Sequence, residues 1–334
     1  MNIIFKENKS NINESPHNIK FLDNLGEDSY SELLIAHTFT SFISINDIFY
    51  LIYSNKNLSI ISYNIINNKK INEIKHAHDK YITNFRHYSD IINRRDLIIS
   101  ISAYDNKLKL WNINNFECLL HLNIINSIGI LLSACFLNDN YQNYIIISNT
   151  YKESIKVFNF EGKKIKEIND SNVPIYFIDT YYDSKSFINY IITGNNGYVS
   201  SYNYKENKIY HNYYDNEYKF HNSVIINDKE EIIKMIESST GGNIRIWNFH
   251  RGELLNQIKI INNLLKGICL WNNEYLFIAC GDKTIKLLEL KSGKIIKELF
   301  GHNDKVVYIQ IISHPKYGKC LLSQDKNEIK IWTT

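Results

Sequence analysis

Proline is nearly missing from this chain, at 3 of 334 residues, and glycine is thin at 13; soluble proteins usually carry about 5% and 7%. Turns therefore need another residue. Asparagine is the expected substitute, because it tolerates the left-handed conformation and caps its own turn. The chain holds 46 Asn and 58 Ile. With Lys and Tyr these are the residues of A/T-rich codons, a drift in composition rather than a prion-like segment. The five cysteines (Cys118, Cys135, Cys269, Cys280, Cys320) are odd in number, scattered and never spaced C-x-x-C, so neither a disulfide framework nor a zinc site is expected. Arginine numbers only five, and 38 basic against 35 acidic residues leave a net charge of +3. That balance speaks against a protein that lives on phosphate backbones, so nucleic acid is not an expected partner. No apolar run reaches the ~20 residues of a membrane span. The nearest, 124–137, is broken by Asn126, Ser127 and Ser133, and the polar first 20 residues contain no signal core. The expectation is a soluble intracellular protein, cytoplasmic or nuclear and not secreted. Abundant Ile, Leu, Phe and Tyr exclude general disorder.

What is present is a repeat. The segments "DNKLKLWN" (105–112), "GGNIRIWN" (241–248) and "KNEIKIWT" (326–333) alternate apolar and polar residues up to a Trp, the period of a half-buried strand. Weaker copies end near Tyr63, Phe158, Tyr202 and Leu288. The anchors Tyr63, Trp111, Phe158, Tyr202, Trp247, Leu288 and Trp332 are separated by 48, 47, 44, 45, 41 and 44 residues, close to the length of a four-stranded propeller blade. An apolar strand precedes each anchor, as in "FYLIYS" (49–54) and "YLFIACG" (275–281). A short turn and a Lys/Glu-bearing outer strand follow, as in "GKIIKEL" (293–299). Inner strands covered by neighbouring blades read as continuous apolar runs, and an outer strand with one wet face alternates.

These features resemble the WD-repeat family over about residues 19–334. The family signature pairs a Gly-His with a Trp-Asp roughly 30 residues later. Gly301-His302 precedes Trp332 at that distance, Ala77-His78 precedes Trp111, and Ala36-His37 precedes Tyr63. The resemblance implies an all-β, seven-bladed β-propeller of four-stranded antiparallel blades. It also implies a hydrogen-bonded chain of His, Ser/Thr, Asp and Trp. Here that chain falls on His78, Ser102 (or Ser100), Asp105 and Trp111 in blade 2, and on His302, Ser323, Asp325 and Trp332 in blade 7. No Trp-Asp dipeptide survives, Gly241 replaces the turn Asp in blade 5, Leu288 replaces Trp in blade 6, and blades 3 and 4 rest on periodicity alone. Three strands of blade 7 are visible before the chain stops. The family's solution is an N-terminal strand that completes the last blade, and "NIKFLDNL" (18–25) is the candidate. Residues 1–17 are then a tail, and 18–334 are a single domain.

No cofactor, metal or catalytic constellation is expected. There is no Walker loop, no G-x-G-x-x-G and no H-E-x-x-H. His76, His78 and Asp79 read as structural, because His78 falls on the signature His. Cys280 reads as a packed thiol, and Arg94-Arg95 as a solvated loop. On the first strands only His87 and Asp179 offer titratable chemistry, with no visible partner. The segment 212–220, "NYYDNEYKF", is the most partner-like, although a packed loop is its first reading. The reading is a non-enzymatic scaffold that binds protein partners or peptide motifs within a larger complex and is itself monomeric. The alternatives are a propeller for an anionic ligand (RNA or a phosphoinositide membrane surface) and, remotely, a propeller-based enzyme. The docking rim implied by the family falls on Tyr81, Tyr104, Lys107, Tyr151, Lys152, Tyr176, Tyr218, Lys283 and Lys305. Lys107, Lys152 and Lys283, if they converge, favour an acidic peptide.

Overall fold

A computed structural model describes residues 15–27, 37–124, 130–139, 142–149, 154–168, 174–227 and 232–334; within 208–227 the side chains of 215–219 and 221 lie outside this description. Its regular structure is strands and one short 3-10 turn, Pro16–Asn18. The strands form seven four-stranded antiparallel blades. The buried apolar side chains separate into seven clusters, one between each pair of neighbouring blades, including blade 7 against blade 1. The core is therefore a ring of inter-blade layers. This explains why the second and third strands are apolar on both faces: Leu97–Ile99 are fully buried, as are Leu276–Cys280.

The ring closes through the N-terminal segment. Lys20–Glu27 pairs antiparallel with Glu328–Thr333, the third strand of blade 7, in a register that sets Phe21 opposite Trp332. Ile19, 1% exposed, and Trp332 share one cluster with Trp271 and Phe277 of blade 6. Lys297 donates to the carbonyls of His17 and Ile19 at 2.7 and 2.8 Å. Closure thus satisfies backbone groups that an open blade would leave as a sheet edge.

Two further features follow from the missing breakers. Between Gly197 and Gly241 there is neither Gly nor Pro. The outer strand of blade 4 accordingly continues without a loop into the first strand of blade 5, as one 20-residue strand, Lys208–Asn227, within a seven-stranded sheet. The segment 212–220, read from sequence as a loop, is the middle of this strand; its Tyr213 is fully buried and donates to the Phe249 carbonyl at 2.7 Å. Asparagine serves the turns mainly as an acceptor. The residue after the anchor in blades 1 to 5 is Asn64, Asn112, Asn159, Asn203 and Asn248. Each Oδ1 accepts a backbone N–H of the turn that follows, at 2.8–3.1 Å. This is the position of Asp in a Trp-Asp pair, and an amide oxygen accepts as a carboxylate does. Left-handed φ falls on Asn68, Asn106 and Asn207, but also on Leu58, Arg94, Phe116, Phe187 and Lys283, so asparagine replaces glycine only in part.

Candidate functional site

The polar chain of blade 7 is complete. Trp332 Nε1 donates to Ser323 Oγ at 2.7 Å, and Ser323 Oγ lies 2.7 Å from His302 Nε2. His302 Nδ1 lies 3.1 Å from Asp325 Oδ2. With the imidazole proton on Nδ1, every donor points at an acceptor: indole to hydroxyl, hydroxyl to Nε2, Nδ1–H to carboxylate. Asp325 Oδ1 also accepts the N–H groups of Asn327 and Glu328 at 2.8 and 3.0 Å. Burial raises the Asp325 pKa, but the bonds from His302 and these amides outweigh it and hold the carboxyl below its ordinary value. His302, Asp325 and Glu328 place ligand atoms within 4.8 Å of one another, the spacing of a metal site. Their atoms are already engaged, however, Glu328 by Lys330 at 2.8 Å.

Blade 2 departs from the expectation in two ways. The serine of its chain is Ser100, which accepts from Trp111 Nε1 at 2.8 Å and lies 2.7 Å from His78 Nε2. Ser102 is buried with an unpartnered hydroxyl. The register explains this: Trp332 faces Leu321 and uses Ser323, and Trp111 faces Ile98 and uses Ser100, so the serine is always two residues beyond the one opposite the Trp. Asp105 does not reach the imidazole. It accepts the N–H groups of Lys107 and Asp79 at 3.0 and 3.3 Å, and His78 Nδ1 has no hydrogen-bond partner. Burial, then the nearby Lys109 charge, pushes the His78 pKa down to about 3. In blade 5 the equivalent of the serine is Glu237, buried beside Arg245 at 3.7 Å, and Trp247 Nε1 is unpartnered.

The centre of the ring holds a cluster that sequence reading missed. Arg86, on the first strand of blade 2, donates Nε to the Ala134 carbonyl of blade 3 at 3.2 Å. Its Nη2 donates to the Ile178 carbonyl of blade 4 at 2.9 Å. Its Nη1 lies 3.0 Å from His37 Nδ1 and 3.7 Å from Asp179 Oδ2. The Tyr308 hydroxyl of blade 7 is 2.8 Å from the same His37 nitrogen. Burial, then the Arg86 charge, lowers the His37 pKa well below its ordinary value, which leaves Nδ1 an acceptor for both donors. Asp179 therefore has a partner, Arg86. His87 also has one: it bonds Asp96 at 2.8 Å, stacks on Phe42 with ring centroids 3.5 Å apart, and belongs to the boundary between blades 1 and 2. A lone Arg beside an expected core position is a weak signal, and only the inward turn of its strand gives it meaning.

Of the expected rim residues, Lys107 begins the third strand of blade 2 and Tyr218 lies within the continuous strand Lys208–Asn227. Tyr104 is 47% exposed, Tyr81 and Tyr176 are half-buried, and Lys283 and Lys305 are exposed. Tyr151 and Lys152 lie outside the described residues, as does the side chain of Tyr218. Lys107 is engaged by Asp79. The expected convergence of Lys107, Lys152 and Lys283 therefore reduces, among the described residues, to Lys283, with Lys107 neutralised. Phe300, 71% exposed beside Gly301-His302, was not singled out in the sequence. Apolar character next to the signature dipeptide was the signal available.

The strands form a seven-bladed β-propeller, and the His–Ser–Trp chains of blades 2 and 7 follow the pattern that the WD-repeat resemblance implies. No family model matches the chain. A stretch of 72 residues, 22% of the chain, is 24% identical to the U3 small nucleolar RNA-associated protein 21 homolog of Schizosaccharomyces pombe and covers 8% of that protein's length. Among the described residues no helix is long and apolar enough to cross a membrane.

Proposed function

We propose that this protein is a non-enzymatic scaffold that holds protein partners or peptides on the loop rim of its propeller. The observation that carries the reading is where the polar chemistry goes. The buried His, Ser and Trp groups of blades 2 and 7 bond one another, Asp325 joins the chain in blade 7, and Arg86, His37 and Tyr308 bond across the ring axis. These groups hold blades in place, and the exposed rim offers aromatics, Phe300 and Tyr104, with Lys283 and Lys305. Exposed aromatics supply binding energy at protein interfaces. The test is affinity purification of the tagged chain from its native cells, with mass spectrometry at low and high salt. A stable set of proteins that Phe300→Ala/Tyr104→Ala depletes supports the scaffold; an unchanged set in that variant removes the rim from the account.

A second reading is association with RNA, favoured by the similarity to a protein named for a small nucleolar RNA. Its signature is RNA in the eluate that falls away steeply with salt. The net charge of +3 and five arginines weigh against it.

A further inference from the structure

The face opposite the rim carries the turns between first and second strands. In blades 2 and 4 these turns are built alike. Asp90 pairs with Arg95 and Asp183 with Ile188, so four residues intervene in each. The fourth of them is left-handed in both, Arg94 at φ 50° and Phe187 at φ 56°. The opening Asp is buried and caps the turn. Asp90 accepts from Asn93 and from Arg95 Nε at 2.8 Å, and Asp183 from the Lys185 N–H at 3.0 Å and the Ser186 hydroxyl at 2.6 Å. The tips then present apolar side chains to solvent: Ile91 is 70% exposed, Ile92 73% and Phe187 78%, with Tyr182 beside them at 52%.

Isolated exposed apolar residues need no explanation. Here they occupy two matched, capped turns, and the only exposed charges in those turns are cations, Arg94 and Lys185. The acids are folded under and engaged. Of the acids nearby on this face, Asp47 is exposed in the corresponding turn of blade 1, and Asp139, at the corresponding turn of blade 3, accepts from Asn189 at 3.0 Å; Glu117, Glu161 and Glu206 sit at the outer turns, interleaved with Lys163 and Lys205. Turns of equal length on one face of a disc project equally, so tips two blades apart meet a plane together.

We propose that this face seats on an anionic lipid surface, with Ile91, Ile92 and Phe187 entering the interface and Arg94 and Lys185 meeting the headgroups. Arg95 stays with Asp90 and takes no part. Apolar insertion supplies most of the affinity, and each cation adds a salt-sensitive increment. This surface is independent of the rim assigned to protein partners.

The experiment is co-sedimentation of the full chain with vesicles of phosphatidylcholine alone and of an equimolar phosphatidylcholine–phosphatidylserine mixture. The wild type binds the mixture. Ile91→Ser/Ile92→Ser and Phe187→Ser each weaken that binding by about tenfold or more, the equivalent of one apolar side chain left in water. Arg94→Glu/Lys185→Glu abolishes the preference for phosphatidylserine. All five positions are exposed, so unfolding midpoints stay at the wild-type value and separate a lost surface from a lost fold. Binding that the serine variants leave intact reflects general charge attraction and overturns the proposal. No binding by the wild type overturns it as well.

Discussion

Blades 2 and 7 carry the same three-residue chain and differ in its last link. In blade 7 Asp325 closes the chain on His302 Nδ1, and the carboxyl is held below its ordinary pKa. In blade 2 Asp105 stays at the turn and caps backbone N–H groups, and His78 keeps an unpartnered nitrogen. The difference teaches that two jobs assigned to one aspartate, bonding the imidazole and capping the turn, are separable. Asp325 does both, because its second oxygen reaches the ring. Asp105 does only the second, and His78 remains in place through Ser100 and its 1% exposure. The chain in blade 7 also sits beside the closing strand, where Phe21 packs edge-on against Trp332 with centroids 5.7 Å apart.

The largest expected effect comes from removing the closure itself. Deleting residues 1–26 leaves blade 7 with an open edge and strips cover from Trp332, and no soluble monomer should be recovered. Deleting 1–14 should leave the yield and unfolding midpoint unchanged. Next, Trp332→Ala and Trp111→Ala should each cost about 3–5 kcal/mol in chemical denaturation, as truncation of a buried aromatic does. A loss below about 1 kcal/mol at either would contradict the blade register.

The comparison sharpens at the aspartates. Asp325→Asn should cost about 1–3 kcal/mol, because a charge-assisted bond within a buried chain is weakened. Asp105→Asn should cost about 0.5 kcal/mol, because an amide oxygen caps a turn almost as well. Equal losses at the two sites would erase the distinction drawn between them.

The pH dependence separates them further. The folded-state pKa of His78 lies near 3 and its ordinary value is 6.5, so in acid the unfolded chain takes up a proton that the folded blade refuses. The stability associated with neutral His78 is full above pH 6.5 and declines as pH falls from 6.5 toward 3, with a slope of about 1.4 kcal/mol per pH unit for one such group. His37, His87 and His314 are lowered too and add in the same direction. Asp325, lowered from 3.8, adds a loss only as pH falls below that value. Unfolding midpoints at pH 7.5, 6 and 5 should therefore fall in the wild type and fall less steeply in His78→Gln. Parallel curves would show that His78 titrates in the fold as it does in the unfolded chain and would contradict its lowered pKa. The smallest effect is expected from Asn112→Asp, which restores a Trp-Asp pair in blade 2 and should change stability by about 0.5 kcal/mol or less, since one acceptor replaces another at the Asn114 N–H.

Much of the architecture was legible in the sequence because blade spacing depends only on where apolar strands and their anchors recur. Drift that swaps Trp for Tyr202 or Leu288 leaves that period intact, and both are fully buried. The closing strand was legible for the same reason, to within two residues at its ends. The choice between Ser100 and Ser102 was not, because both lie on the same face of one strand and only the cross-strand register to Trp111 distinguishes them. The continuous strand 208–227 was obscured by the habit of placing a loop between repeats, although the absence of any breaker between 197 and 241 allowed it. The Arg86 cluster joins residues as far apart in sequence as His37 and Tyr308, and no local pattern marks such a meeting. The rim remains the least legible feature, since aromatics are spread through every blade.

The central claim is a ring closed by the N-terminal strand, and amide hydrogen exchange tests it most directly. In the intact chain, amides in 20–27 that pair with 328–333 should exchange as slowly as those of the inner strands, and both segments should lose protection together on unfolding. Rapid exchange in 20–27 while 328–333 stays protected would contradict the closure.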